Sequence, residues 1–301
     1  MPVPITDAFF RIDTDDTLRE TAIHGSPDYP FKYYLENIKD FDLGCVDWHW
    51  HTEVEFVYIR DGSATFNIGA DRMVLSEGMG LFINSSIVHR FESDSDCIIP
   101  NIVFSPELIA EKDSLLFKKY IEPVISSSES YLMLAPENPE GRVCIDLLNE
   151  VFDEQNNDNV DELRTVSLLM ELWRHIYLLS VREKGSVPVS SKSNQARLQI
   201  MMQFIYDNFR QNLTLNDIAG SVSISPSSAL LIFRNYIHTT PVLYLIEYRL
   251  KYAASLLATT EMKIEAVADE TGFNSCEYFC RKFKQLYNAT PTEYRNTHKI
   301  I

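Results

Sequence analysis

The sequence predicts an α+β protein of two domains: a β-barrel with a helical appendage, then an all-α domain in which a central helix joins two helix-turn-helix units. Three observations support this fold class. The chain has 301 residues, enough for two domains. Short strand-like segments dominate its first third, and helical periodicity dominates the rest. The predicted boundaries are a domain over 1–184 (barrel about 1–104, helices about 105–184), a linker over 185–196 and a helical domain over 197–301.

The barrel is predicted from short segments rich in β-branched and aromatic residues, each bounded by turn signals. Strands of this length and spacing are typical of a small barrel or sandwich. The segments cover residues 54–59, 64–68, 72–75 and 80–83. The turn signals between them are Asp61-Gly62, Gly69 and Glu77-Gly78.

After about residue 105, apolar residues recur every three or four positions, which predicts helices over 106–125, 139–155 and 161–184. The third of these helices carries one long apolar stripe. Two compatible interpretations remain open: the helix covers the barrel, or it forms a dimer interface. The stripe consists of Leu163, Val166, Leu169, Met170, Trp173, Ile176 and Tyr177.

The charge of the chain is distributed unevenly. The formal net charge is −16, which taken alone argues against a nucleic-acid partner. Residues 197–301, however, carry 11 Lys and Arg against 9 Asp and Glu, so the acidity belongs to the first two-thirds of the chain. A nearly neutral domain can bind DNA if its positive charges share one face. The distribution therefore permits DNA binding without establishing it.

Neither a membrane segment nor a disulfide framework is expected. No apolar run approaches the roughly 18–20 residues that span a bilayer, and the N-terminus lacks the basic start and apolar core of a secretory signal. We therefore expect a cytoplasmic protein without membrane contact. Five scattered cysteines without a Cys-x-x-Cys pair argue against disulfides or a zinc finger. Cys276 and Cys280 have helical i, i+4 spacing, which favours an ordinary reduced pair over a redox switch.

The last hundred residues contain explicit helix start signals. Thr214 followed by Asp217 resembles a capping box. Elsewhere a Ser or Thr precedes a proline, which places an N-cap before the first helical position. These pairs are Ser225-Pro226, Thr240-Pro241 and Thr290-Pro291, and Asn274-Ser275 opens a further helix.

Two stretches of this domain share one plan, a short helix, a tight turn and a second helix, with matched sites 49 to 50 positions apart. A duplicated helix-turn-helix explains this repeat. Residues 272–295 resemble the signature of the AraC/XylS family of transcription regulators. His238 and Asn288 stand where that family often has a helix-ending glycine. The matching elements are Gly272, Phe273, Tyr278, Phe279, Arg281, Phe283, Lys284, Thr290, Pro291, Tyr294 and Arg295.

The resemblance implies a double-stranded DNA partner, read by the second helix of each unit in the major groove. In the second unit, Arg281 is expected to contact guanine or a phosphate, and Glu277 a cytosine amino group. In the first unit, Leu231 can meet a thymine methyl group; otherwise the unit reads weakly or its apolar face contacts protein. The candidate DNA-binding residues are Ser227, Leu230, Leu231, Arg234, Cys276, Glu277, Cys280, Arg281, Lys282, Lys284 and Arg295, of which Lys282, Lys284 and Arg295 are assigned to phosphates.

The N-terminal domain carries the pattern His49-x-His51-x3-Glu55, and His89 follows on a later segment. This set resembles the metal motifs of the cupin barrel. His49 and His51 are expected to lie on one face of a strand, because alternate strand residues share a face. Two imidazoles, a carboxylate and a third imidazole could hold a divalent metal. In the second motif, Asn84 and Ser86 replace the usual proline and glycine. The alternative is a pocket in which the same four residues bind an effector by hydrogen bonds; Tyr33, Tyr34 and Phe82 are further candidates for its wall.

The favoured function is a transcription regulator and not an enzyme. A small-molecule effector, with a sugar or related metabolite as the class the resemblance suggests, would bind in the barrel and alter DNA affinity. A homodimer on two half-sites is expected. Two alternatives remain: a metal-dependent cupin enzyme with an appended DNA-binding domain, and a protein-only interaction role.

Overall fold

The structure, a computed structural model, describes residues 12–15, 18–69, 71–127, 129–182 and 190–298. These residues divide into two compact units, one formed mainly by Arg19–Ser193 and one by the chain from Asn194 onward. Among the described helices, none combines the length and the apolar character that a membrane crossing requires.

The first unit is built on two antiparallel sheets. One sheet has the strand order β1-β8-β3-β6-β9, and the other has the order β2-β7-β4-β5. The strands are β1 Phe31–Asn37, β2 Cys45–His49, β3 Val54–Tyr58, β4 Ser63–Ile68, β5 Asp71–Ser76, β6 Gly80–Ile83, β7 His89–Glu92, β8 Ile98–Phe104 and β9 Tyr131–Leu134. Positive φ angles at Gly62, Gly69 and Gly78 confirm the predicted turns.

The central strands β8, β3 and β6 of the five-stranded sheet are buried on both faces. Val57 and Leu81 join residues of the other sheet, such as Phe66, in one core between the sheets. The alternate residues Phe56 and Phe82 point to the opposite face and join a second core with the helices. Strand alternation thus gives this sheet an inner face toward the barrel interior and an outer face that only a helical layer can cover.

The helical layer differs from the prediction before residue 125. Its segments are Pro106–Leu108 (3-10), Phe117–Ile121 (π), α1 Glu122–Ile125, α2 Pro139–Gln155 and α3 Glu162–Arg182. The continuous helix predicted over 106–125 is therefore wrong, since bends and turns separate its parts. Strand β9 was not predicted, because a four-residue strand is specified by pairing with β6 and not by its own pattern.

Helix α3 covers the barrel, as one of the two interpretations predicted. Leu169, Trp173 and Ile176 are buried against the outer face of the five-stranded sheet. The indole of Trp173 donates a hydrogen bond to the carbonyl of Tyr120 at 3.0 Å, so the polar tip of the ring is satisfied inside the core. Leu163, at the start of the same helix, is 80% exposed.

The second unit is helical throughout, with short connections. Its helices are α4 Ser190–Asn208, α5 Leu215–Gly220, α6 Pro226–Ile237, α7 Pro241–Thr259, α8 Ile264–Glu270, α9 Cys276–Tyr287 and α10 Pro291–His298. Residues 185–189 of the predicted linker lie outside the described residues. From Ser190 the segment is helical, because the chain that follows it, from Ala196 to Leu198, favours helix and extends α4 backwards.

The predicted caps are present. Thr214 and Asp217 form a capping box at α5, and the Ser225 and Ser275 hydroxyls accept hydrogen bonds from the third residues of α6 and α9. The duplication extends to the backbone, since His238 and Asn288 both end their helices in the left-handed region, with φ of 52° and 53°.

Two arginines lock the duplicated units onto the central helix α7. Arg249 donates to the carbonyls of Phe209 and Gln211, both at 2.7 Å. Arg295 donates to the carbonyl of Met262 at 2.6 Å and to that of Leu257 at 3.4 Å. Each guanidinium thereby satisfies carbonyl oxygens near the end of the preceding long helix, where no intrahelical donor remains.

Candidate functional site

The four residues of the cupin-like motif converge inside the barrel. His49 ends β2, His51 follows it, Glu55 lies on the inner face of β3 and His89 begins β7. His49 and His89 are register partners across β2 and β7. One ligand atom from each of the four side chains lies within 4.8 Å of the others, and all four side chains are buried.

Hydrogen bonds to the backbone fix how the imidazoles face one another. Nδ1 of His49 contacts the carbonyl of Asp47 at 2.7 Å, and Nδ1 of His89 contacts that of Ile87 at 2.8 Å. His51 makes the same kind of contact, to the carbonyl of Glu53 at 3.2 Å. Because a carbonyl only accepts, each Nδ1 must carry the hydrogen. In the neutral ring the lone pair then lies on Nε2, which points into the cluster.

The inward-facing atoms form a set of acceptors without donors. Nε2 of His51 and Nε2 of His89 lie 3.4 Å and 3.1 Å from Oε2 of Glu55. None of these three buried atoms has a hydrogen-bond partner. Lone pairs facing a carboxylate repel, so the cluster is stable only with a cation at its centre or with protons on the rings.

Electrostatics disfavour protons at His49 and favour charge on Glu55. Burial, together with the neighbouring His89, lowers the pKa of His49 to about 3, so its ring is neutral at physiological pH. Burial alone would raise the pKa of Glu55, but the neighbouring His51 and His89 outweigh it and lower the pKa below its usual range. An ionised carboxylate beside a neutral imidazole is the protonation state that a metal ligand set requires.

The residues present therefore fit a divalent metal. Three Nε2 atoms and one carboxylate oxygen form a donor set suited to zinc, iron, manganese or nickel. Each Nδ1–H bond to a carbonyl is the outer contact that orients a ligating histidine. Ser86 replaces the usual glycine of the second motif, but its backbone keeps the conformation for which glycine is usual, with φ 62°.

A second polar group, the outer cluster of Glu20, His24 and Tyr34, lies beside these four residues. Nε2 of His24 lies 3.4 Å from the carboxylate of Glu20, and Nδ1 of His24 lies 2.9 Å from the Tyr34 hydroxyl. The rings of His24 and His51 are 5.5 Å apart. Burial lowers the pKa of His24, but the neighbouring Glu20 outweighs this and raises it overall, which favours a charged imidazole beside the carboxylate.

Sequence reasoning missed most of the outer cluster. Tyr34 was named as a candidate, whereas Glu20 and His24 precede the first strand and carry no motif. Of the other two wall candidates, Tyr33 packs against Phe152. Phe82 packs in the core beneath the helical layer.

The sequence signal that could have indicated the outer cluster is a pair of polar residues at alternate positions of β1, Tyr34 and Glu36. The amide of Asn101, on β8, donates to Glu36 at 3.0 Å.

The second helix of each helix-turn-helix unit presents an exposed face. We define the α9 face as Glu277, Arg281 and Lys284, and the α6 face as Ser227, Leu231 and Arg234; all six residues are exposed. The two faces occupy equivalent positions 50 residues apart. Spacing of four and three residues places each set on one side of its helix, as readout of a major groove requires.

The remaining residues predicted to bind DNA are less exposed. Leu230, Cys276, Cys280 and Lys282 are half-buried, and Lys282 donates to the Gln285 side chain at 3.1 Å. The guanidinium of Arg281 lies over the Tyr278 ring, 5.3 Å from its centre.

Arg295 has a structural role that the sequence did not predict. Its guanidinium bonds the carbonyls of Leu257 and Met262, so the arrangement gives no support to a phosphate contact.

Comparison with known proteins identifies two domain families. A helix-turn-helix domain family matches residues 218–297, and a cupin domain family matches residues 44–102. The chain is 29% identical over 285 residues to the HTH-type transcriptional regulator YdeC of Bacillus subtilis, covering 93% of this chain and 97% of that protein. It is 25% identical over 254 residues to the melibiose operon regulatory protein of Escherichia coli, covering 82% of each. An AraC-type DNA-binding regulator from Chromobacterium violaceum shares 29% identity, with a TM-score of 0.34 over 36% of this chain and 96% of the other.

The cupin domain and the duplicated helix-turn-helix define a DNA-binding transcription regulator with an N-terminal ligand-binding domain. The chain is similar to regulators of the AraC type, since the relatives that match 93% and 82% of it are transcription regulators and residues 272–295 carry every element of the AraC-type signature.

Proposed function

We propose that this regulator is a metal-dependent sensor, in which His49, His51, Glu55 and His89 hold a divalent metal ion within the effector pocket. One observation carries the proposal: Nε2 of His51, Nε2 of His89 and Oε2 of Glu55 are buried, converge and lack partners. The metal would supply a Lewis-acidic centre for an oxygen-bearing effector.

The outer cluster supports a hydroxyl-rich effector. The ion pair of Glu20 and His24 and the hydroxyl of Tyr34 offer both donors and acceptors beside the metal ligands. We assign the effector to carbohydrates or related metabolites, in line with the relative that regulates the melibiose operon. An effector that binds one conformation of the protein better than another shifts the populations and thereby the affinity for DNA.

The proposal includes a homodimer that acts in the cytoplasm. One nearly neutral DNA-binding domain makes few phosphate contacts, and a second copy on an adjacent half-site would double them. Leu163 and Met170, seven residues apart on α3, expose apolar side chains on one side of that helix. We assign this side of α3 to the dimer interface.

Metal analysis of the full chain tests the central part of this proposal. Protein purified without chelator should contain about one divalent ion per chain, in keeping with a single four-ligand set. The His89→Ala variant should lose the ion. His175 is a half-buried histidine paired with Glu140 and Glu171, and the control variant His175→Ala should keep the ion. Absence of metal from both the purified protein and a metal-titrated sample would refute the metal site while leaving DNA binding untouched.

The same donor set favours a second candidate function, a metal-dependent cupin enzyme with an appended DNA-binding domain. A site with four protein ligands can still admit a substrate if the metal expands its coordination. Incubation of the metal-loaded protein with sugars and sugar acids, followed by mass analysis, separates the two functions: a converted product favours the enzyme, and an unchanged compound that alters DNA affinity favours the sensor.

A further inference from the structure

Two cysteines on the recognition helix α9 form a close pair. The Sγ atoms of Cys276 and Cys280 lie 4.0 Å apart, and both side chains are half-buried. Each cysteine directly precedes a residue of the α9 face, Glu277 or Arg281. The equivalent positions of the first unit are Pro226 and Leu230. The thiol pair is therefore specific to the second helix-turn-helix unit.

The helix geometry disfavours a disulfide between these cysteines. Residues at i and i+4 of an α-helix have Cβ atoms about 5–6 Å apart, whereas an unstrained disulfide needs about 3.5–4.5 Å. A single bridging ion requires no such approach. Two bonds of about 2.3 Å at a tetrahedral angle span about 3.8 Å between the sulfurs, close to the observed 4.0 Å.

We infer that Cys276 and Cys280 form a dithiol site that binds one thiophilic ion, a soft metal cation or a trivalent arsenical, and that occupation of this site blocks DNA binding by α9. Thiolate pairs select soft centres over hard cations. The bound ion and its remaining ligand would lie beside Glu277 and Arg281, where the helix must approach the base edges closely. The site is separate from the histidine cluster in both position and donor type.

A thiophilic ion should select this pair, because the other three cysteines are buried. Cys45, Cys97 and Cys144 are buried within the first unit. Burial raises the pKa of Cys97 to about 11 and that of Cys144 to about 12, so neither presents a thiolate at neutral pH. Burial also raises the pKa of the Cys280 thiol, and its neighbour Cys276 raises it further. The Cys280 thiol form is thereby favoured, and an ion that bonds to both sulfurs would displace its proton.

Phenylarsine oxide is a suitable probe, because the reaction is balanced without an oxidant. Two S–H bonds break and two As–S bonds form. The oxide oxygen leaves as water with both thiol protons, and arsenic remains trivalent. Imidazoles and carboxylates do not replace the two sulfurs in this product, so the histidine cluster does not compete.

The test combines intact mass and DNA affinity for the full chain. Wild-type protein should gain one phenylarsine group that survives excess monothiol and is removed by a dithiol. Its DNA affinity should fall about tenfold or more, the equivalent of one lost base contact. Cys276→Ser and Cys280→Ser should not gain the group, and treatment with phenylarsine oxide should leave the DNA affinity of each variant at its own untreated value. Cys276→Ala and Cys280→Ala provide the same comparison if a serine variant fails to fold.

A parallel titration with cadmium distinguishes the two kinds of ion. A thiolate-to-metal charge-transfer band in wild type that disappears in both single variants shows that the pair takes a soft metal cation as well. Uptake of neither probe by wild type, or equal uptake by the single variants, overturns the site. An adduct that leaves DNA affinity unchanged overturns the blocking role. DNA binding of the untreated protein is measured first, so a failure of DNA recognition is seen separately.

Discussion

At the scale of single residues, the barrel interior holds several ionisable groups whose partners decide their charge. Glu55 stays ionised because two histidines face it. Glu36, on the neighbouring strand β1, has the amide of Asn101 as its partner instead. Burial, together with the charges of Glu55 and Glu20, raises the pKa of Glu36 to about 7 from the ordinary 4.5. Its proton is therefore bound more tightly in the folded state than in the unfolded state.

This difference predicts how stability depends on pH. Between pH 4.5 and 7 the folded protein keeps a proton on Glu36 that the unfolded chain has lost, so the free energy of unfolding falls as pH rises and levels off above 7. Glu36→Gln should remove this loss and stabilise the protein at neutral pH by on the order of 1–3 kcal/mol. Urea unfolding across this range measures the effect. The exposed control Glu122→Gln should follow wild type; equal slopes in Glu36→Gln and wild type would contradict the prediction.

His238 offers a second prediction at this scale. It ends α6 in the left-handed region, where a Cβ atom is unfavourable, and its side chain is exposed. His238→Gly should raise the free energy of unfolding by about 0.5–1 kcal/mol. Asn288→Gly, at the equivalent position of the second unit, should gain less because asparagine tolerates this conformation. A loss of stability in His238→Gly, measured by denaturant unfolding, would refute the account.

At the scale of elements, the features that depend on neighbouring residues could be predicted from the sequence, and those that depend on distant residues could not. The caps at Thr214, Ser225 and Ser275 follow from residues within one turn, and all three are present. Four cupin-motif residues could be named because strand alternation and a family pattern place them together. Strand β9 and the break before α1 depend on partners distant in sequence.

The outer cluster shows the same limit within the site. Glu20 and His24 reach the four cupin-motif residues through the path of the chain before β1, which no periodicity encodes. Arg295 carries a second role that its charge alone does not indicate: its guanidinium donates hydrogen bonds to two carbonyls, and its contact with a phosphate stays a prediction.

The α9 face yields a prediction that distinguishes a residue that contacts bases from a residue that contacts the phosphate backbone. If Arg281 contacts guanine, the first of the two contacts expected for it, Arg281→Ala should cost about 1–3 kcal/mol on the preferred sequence and relax the choice of base. Lys284→Ala should weaken binding to all sequences alike and reduce the slope of log K against log salt by about 1. Fluorescence anisotropy on matched and mismatched duplexes measures both. Identical behaviour of the two variants would show that Arg281 contacts a phosphate.

At the scale of the whole molecule, the proposed homodimer is assigned to the exposed side of α3. Leu163→Glu introduces a charge where apolar contact is proposed, so sedimentation should show a shift toward monomer and DNA affinity should fall with it. Leu115→Glu alters an apolar residue that is 76% exposed elsewhere in the same unit, and it should remain dimeric. A Leu163→Glu protein that sediments as wild type would place the interface elsewhere.

The α6 face and the α9 face are proposed to read one DNA duplex together. The most direct measurement is the anisotropy of the full chain on promoter DNA from beside its own gene and on a scrambled duplex, over a series of salt concentrations. We expect the promoter to be bound at least about 10³-fold more tightly, with affinity falling linearly in log salt. Equal affinity for both duplexes at every salt concentration, or no binding even at low salt, would contradict the assignment of α6 and α9 as reading helices.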